Sequence, residues 1–293
     1  MLPNHALFKL MLFFVWHGIL FLGVSIWYFK TKQTKTLEYT VDYPPRIETI
    51  HDNCKHQTAK MQALIIQWRR VLGEHYCASH NQDGVSPSGG WCLEESQENW
   101  GDLGRSAKHH VIADDGLATT IAKYIEIKER RVSLLDIGAG VGQYGHWFHK
   151  NNISVDWRGY DGAENVESYT SGFVKWIDVT NALFDTVSDY EADWVLSLEI
   201  AEHIPSVFTD NYLKLLARHS KIGIIISWGV PGQSGHSHIN CRSNEDVVSL
   251  MKKHNFTQDE WCMQFQMEGR QRSNYGWFKG SFMVFKRYGT DLK

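Results

Sequence analysis

The chain has 293 residues, of which 43% are hydrophobic, 22% charged and only 6 proline, which excludes a wholly disordered chain, a collagen and a coiled coil. A formal charge of −3 leaves no global basic field, so no nucleic-acid partner is expected. Five cysteines with no C-x-x-C spacing argue against a thiolate zinc site.

Residues 1–9 are a short tail. Residues 10–29 are a run of 20 without a charge, interrupted only by His17, Ser25 and two glycines. As a helix such a run spans about 30 Å, the thickness of a bilayer's hydrocarbon core. Trp27 and Tyr28 stand at its end, where amphipathic rings favour the membrane interface. A cleaved signal peptide has a shorter apolar core, about 7–15 residues, and a small-x-small site. This run is longer and leads into Lys30 and Lys32. The sequence therefore predicts a single-pass N-terminal anchor in an endomembrane. Its orientation is left open. Lys30, Lys32 and Lys35 after the run, against Lys9 before it, favour a cytosolic body. Cys54, Cys77 and Cys92, clustered behind the anchor, are a feature of secretory-pathway stems. The glycosylation triplets at Asn152 and Asn255 occur at chance frequency and decide nothing.

Residues 30–105 read as a stem or linker. The stretch to about 56 is polar and contains Pro44-Pro45. Met61, Leu64, Ile65, Trp68, Val71 and Leu72 recur at helical spacing and predict an amphipathic helix near 57–75. A loop rich in Gly, Ser, Asn and Asp follows.

From 106 to 293 the pattern alternates. Asp114-Asp115 open a helix, and Val132–Ile137 reads as a short buried strand. Further strands are predicted at 155–160, 173–177, 193–198, 221–228 and 280–286. Helices are predicted from Gln143, around Phe208, Tyr212, Leu215 and Leu216, and over 245–253. This alternation predicts an α/β domain, a Rossmann-like, mostly parallel sheet with helices on both faces. Such sheets bind ligands beyond the carboxyl ends of their strands.

The first strand runs into Gly138-Ala139-Gly140-Val141-Gly142, so the motif is D-x-G-x-G-x-G with Asp136 at its head. The glycines permit a sharp turn and close backbone approach to a ligand. A carboxylate there repels a pyrophosphate, but it favours the ammonium and sulfonium of S-adenosylmethionine (SAM). Gly140 to Gly145 also fits G-x-G-x-x-G, and a dinucleotide-dependent oxidoreductase is the first rival. A non-catalytic scaffold is the second. Asp161 lies 25 residues past Asp136, close to the spacing of a ribose-binding acid. Asp178, after the third strand, is placed to accept from an adenine amino group.

These segments resemble a known family. LLDIGAGVGQYG resembles motif I of class I SAM-dependent methyltransferases, of the type 11/23-like kind, and SWGVPGQSGHSHIN resembles a post-strand loop of a membrane-anchored branch of them. GYDGAENV looks like their ribose loop and DWVLSLEIAEHIP like their fourth-strand motif. The resemblance covers about 108–288 and implies a seven-stranded sheet behind the anchor and stem. It implies cofactor binding at Asp136, Gly138, Gly140, Gly142, Tyr144, Asp161, Asp178 and Glu199, and methyl transfer to an O or N acceptor of a small molecule, glycan or lipid.

Glu199, Glu202 and His203 follow the fourth strand as E-x-x-E-H, a spacing that shares one face of a helical turn. His236 and His238 leave the fifth strand on the same sheet edge. His203 suits a general base, with Glu199, Glu202 and His238 as its catalytic neighbours. By resemblance to small-RNA 2′-O-methyltransferases and some quinone O-methyltransferases, Glu199, Glu202, His203 and His238 form a site for a divalent cation, Mg or Mn. Trp91, Trp100, Trp228 and Trp277 are candidates for the cleft wall, with core packing as the simpler use of each.

Overall fold

The computed structural model describes residues 47–79, 92–93, 112–180, 190–235 and 237–290. The predicted tail and anchor, His236, Trp91 and Trp100 lie outside these residues. Among the described residues no helix is long and apolar enough to cross a membrane. The chain divides into two compact units, Met1–His56 and Gln57–Lys293, and the sheet belongs to the second.

The elements in chain order are α1 (Ile47–Ser79, which begins in the first unit), α2 (Asp115–Ile125), β1 (Val132–Ile137), α3 (Gln143–Lys150), β2 (Val155–Asp161), α4 (Val166–Tyr169), β3 (Val174–Trp176), β4 (Ala192–Ser197), α5 (Thr209–His219), β5 (Ser220–Ser227), α6 (Asn244–Lys253), β6 (Phe256–Thr257), α7 (Glu260–Arg272), α8 (Phe278–Ser281) and β7 (Phe282–Arg287). The strands form a seven-stranded sheet in the order β3-β2-β1-β4-β5-β7-β6. The first five run parallel, and β7 pairs antiparallel with both β5 and β6. The order reverses between β1 and β4, the switch point where such sheets hold ligands.

Both faces of the sheet are covered, because its strands carry apolar residues in both directions. Leu135, Ile137, Ile224 and Ile226 pack with Leu213 and Leu216 of α5 and with Val247 and Met251 of α6. Leu134, Leu196, Ile225 and Val284 pack on the other face with Leu117 and Ile121 of α2, Phe148 of α3 and Phe265 of α7. Caps set several boundaries. Asp114, Ser243 and Asp259 accept the N–H groups of Leu117, Asp246 and Cys262 and start α2, α6 and α7. Trp228 is fully buried and its indole donates to the Asn240 carbonyl, so it serves the core rather than the cleft wall. Trp277 stacks on Tyr275.

The predicted helix near 57–75 exists, but it begins at Ile47, within the stretch read as polar tether. Its orientation is also unexpected. Met61, Leu64, Ile65, Trp68 and Leu72 are 50–64% exposed. The face that meets the sheet carries Ile66, Arg69, Arg70, Gly73 and Cys77. This helix therefore docks through charge and close backbone approach, not through its apolar stripe.

Candidate active site

Five strand ends and the turns after them build the site. At β1, Gly138, Gly140 and Gly142 all have positive φ, at +81°, +56° and +87°. Substitution is also barred by space. A Cβ on Gly138 would lie 1.7 Å from Ile200 Cδ1, and one on Gly142 would lie 2.6 Å from the Phe173 ring. Gly138 N donates to the Tyr160 carbonyl at 2.7 Å, and Gly140 N donates to Asp161 Oδ2 at 2.8 Å. The loop is thereby tied to the end of β2. Gly142 starts α3 without a side-chain cap. Tyr144, in the first turn of α3, is buried in the cluster with Leu117 and Phe148, in the field of Asp114 and Asp136.

Asp136 is 3% exposed and accepts from Trp157 Nε1 at 3.1 Å. Burial, with the Asp161 charge behind it, pushes its carboxyl up to about 7 against that hydrogen bond. No spacing in the sequence points to the Trp157 contact. It depends on Gly159, which pairs with Asp136 across the strands and leaves room for the indole. Asp161 is also buried; it accepts from Ala163 N and Gly140 N, yet desolvation raises it to about 6. Asp178 has one oxygen on Thr180 N and Oγ1, and its other oxygen lies 2.5 Å from Arg69 Nη1 of α1. Arg69 falls within the predicted stem, so sequence spacing does not bring it to the site.

After β4, Glu199 has φ +55°, a strained conformation for a residue with a side chain. Ser227 of β5 holds it there by accepting from Glu199 N at 2.7 Å and donating to its Oε1 at 2.8 Å. Gln233 Nε2 lies 3.4 Å from the other oxygen. The predicted helical turn is a single 3-10 turn, Ala201–His203. It brings one ligand atom each from Glu202, His203 and His238 within 4.8 Å of one another. Glu199 stands beside this trio, with its carboxylate on Ser227 and Gln233. The His203 and His238 rings meet edge to face, 5.0 Å apart. Glu202 is fully buried, and among the described residues no well-aligned hydrogen bond reaches its oxygens, although the Glu199 carboxyl and the backbone of Gly229 lie against them. Among the described residues the basic atom paired with Glu202 is His203 Nε2, 4.0 Å from Oε1. Burial and the Glu199 charge push the Glu202 carboxyl up to about 8. A buried carboxylate left this way is costly unless a proton or a cation joins it.

Two surface cavities, of about 580 and 480 Å3, lie elsewhere. The first, around Tyr124 and Glu268, has none of the candidate residues in its wall. The second runs between α1 and the ends of β2 and β3, against Tyr160 and Trp176.

No protein-family profile matches the chain, and no curated protein matches its sequence. Among solved structures it is similar to magnesium protoporphyrin IX methyltransferase from Synechocystis PCC 6803 with bound SAH, at 13% identity and a TM-score of 0.42, over 58% of this chain and 80% of that one. It is similar to a TehB-like SAM-dependent methyltransferase from Corynebacterium glutamicum at 15% identity and a TM-score of 0.42, over 59% and 87%. It is also similar to the cyclase SpnF at 13% identity and a TM-score of 0.41, over 59% and 80%. At such distance the reaction rests on the residues themselves.

Proposed function

We propose that the chain is a SAM-dependent methyltransferase that acts on an O or N acceptor of a small molecule, glycan or lipid. The observation that carries this reading is the glycine turn bracketed by two buried carboxylates, Asp136 and Asp161, whose donor set suits a cation and opposes a pyrophosphate. The residues fit the cofactor: Asp136 would face its ammonium, Asp161 its ribose, Asp178 its adenine. When bound, the cofactor supplies a methyl group already activated on a positive sulfur. The protein's share is then to align the acceptor, to exclude water and to take a proton at His203. Calorimetry on the full chain in detergent should show S-adenosylhomocysteine binding that Asp136→Ala abolishes. Binding of NADH in its place would move the assignment to an oxidoreductase.

The same reading places a divalent cation, Mg or Mn, on Glu202, His203 and His238, with Glu199 as a further ligand. The buried Glu202 carboxylate, set within 4.8 Å of ligand atoms of His203 and His238 and without a well-aligned hydrogen bond, supports it. There the ion would lower the pKa of an acceptor hydroxyl. Metal analysis of the purified chain should find one equivalent that Glu202→Gln removes. Full activity in chelator would leave the ion no role.

Residues 10–29 are read as the membrane anchor. The Cys77–Cys92 disulfide favours a body on the oxidising side of the membrane. The chain should resist extraction from membranes by alkaline carbonate, and deletion of 10–29 should release it. A glycosylation shift lost in Asn152→Gln or Asn255→Gln would support the lumenal side, and both asparagines are exposed.

A further inference from the structure

Helix α1 is fastened to both loops that the cofactor reading uses. Arg69 Nη1 lies 2.5 Å from Asp178 Oδ2, and Arg70 Nη1 lies 3.0 Å from Glu167 Oε2. At Gly73 the helix passes so close that a Cβ would lie 2.2 Å from Glu164 Oε1. One turn further, Cys77 is bonded to Cys92, which returns the chain to the same place. The next residue, Leu93, accepts from Asn165 Nδ2 at 2.8 Å. Its side chain and Ile66 pack on the cluster of Ala139, Ala163, Val166, Val174 and Trp176. Ala139 belongs to the glycine turn, and Ala163 follows the ribose carboxylate by two residues.

We propose that Arg69 and the Cys77–Cys92 bridge complete the adenosine half of the cofactor site from outside the sheet: Arg69 is the positioning residue for Asp178, and the bridge holds the helix and Leu93 in place. This rests on the SAM reading given above and goes beyond it by adding residues that lie far from the family motifs. Asp178 is nearly buried, with its side chain 2% exposed. Thr180 N and Oγ1 take both lone pairs of Oδ1, so Oδ2, held by Arg69, is the oxygen left to accept from an amino group. Without that partner nothing fixes the direction of Oδ2, and its remaining lone pair is no longer aimed at an amino group. The pair thus selects a 6-amino purine over a 6-oxo one. The bridge joins cysteines 15 residues apart, which restricts how far Leu93 can leave the ribose loop.

The test uses the full oxidised chain, with S-adenosylhomocysteine and S-inosylhomocysteine as ligands, the second having a carbonyl where the first has the 6-amino group. Oxidised wild type should prefer the adenosyl ligand by roughly tenfold, the worth of one charge-assisted hydrogen bond. Arg69→Ala should lose the preference, and Arg69→Lys should recover part of it. A fold defect alone would weaken both ligands equally. A phosphine reductant converts the disulfide to two thiols, itself becoming the phosphine oxide with oxygen from water. That treatment, or Cys92→Ser, should weaken adenosyl binding by roughly tenfold, and reoxidation should restore the wild-type value. Unchanged preference in Arg69→Ala, or unchanged affinity after reduction, would overturn the proposal and leave the SAM reading intact. Failure of the oxidised wild type to bind either ligand would overturn both.

Discussion

Asp136 shows how burial decides what a residue can do. Its carboxyl is raised to about 7, so near neutrality it is poised between forms. The sign follows from linkage. Between about pH 4 and pH 7 the folded chain keeps a proton that the unfolded chain has lost, so ligand-free stability falls as pH rises through that window. A ligand ammonium favours the ionised form, so its affinity rises over the same range. Calorimetry with S-adenosylhomocysteine should give roughly tenfold tighter binding at pH 8 than at pH 6, the change in the ionised fraction of an acid near 7. Asp136→Asn should bind more weakly and flatten that profile. The acid itself is legible in the sequence, since D-x-G-x-G-x-G puts it at a strand end. Its indole partner is not, because Trp157 reaches it only across a glycine on the neighbouring strand.

Among the elements, β2 is tuned by that same glycine. A Cβ on Gly159 would lie 2.2 Å from Trp157 Cη2 and 3.0 Å from Ala139 Cβ. Gly159→Ala should therefore displace the indole from Asp136 and cost about 1–3 kcal/mol in chemical denaturation. Combined with Trp157→Ala, it should cost less than the sum of the two single changes, because the clash partner is gone. The parallel strands and α2, α3, α5 and α6 are legible because their apolar residues follow clean periods. Helix α7 is not. Its buried face is Cys262, Phe265, Gln266 and Gly269, in which a glutamine and a glycine break the stripe, while Met263 and Met267 are exposed. Gly269 is needed there because the Phe282 ring would lie 2.5 Å from a Cβ. Strand β6 has two residues, too few to show a period. In α1 the period is legible and the buried face is not, since ion pairs decide which side meets the sheet.

For the molecule as a whole, the sheet collects the site at one edge. The carboxyl ends of β1, β2, β3, β4 and β5 and the segments that follow them supply the residues of the sequence motifs. Their positions in sequence span Asp136 to His238, and only the parallel topology makes them neighbours. These strand ends are readable from sequence because an acid or a glycine lies at each end or follows within two residues. The disulfide pairing and the Arg69 contact are not, since both depend on how a distant helix lies. The order of the last strands carries its own prediction. β7 sits between β5 and β6 and is fully buried over Phe282, Met283, Val284 and Phe285. A chain that stops after residue 281 should lose recovery as folded protein in detergent and its circular-dichroism signature, and one that stops after residue 290 should keep both.

That topology also orders events at the ribosome. Of the seven strands, the one translated last is an interior one, so the flank of β5 must wait, bare and hydrogen-bond hungry, until every other strand has been made. A nascent chain already threaded into a translocon would hold that sticky border open for the whole of its passage. Its maturation would then depend on whatever shields a half-built sheet, and chaperone supply, more than codon or promoter, would set how much protein a cell can make.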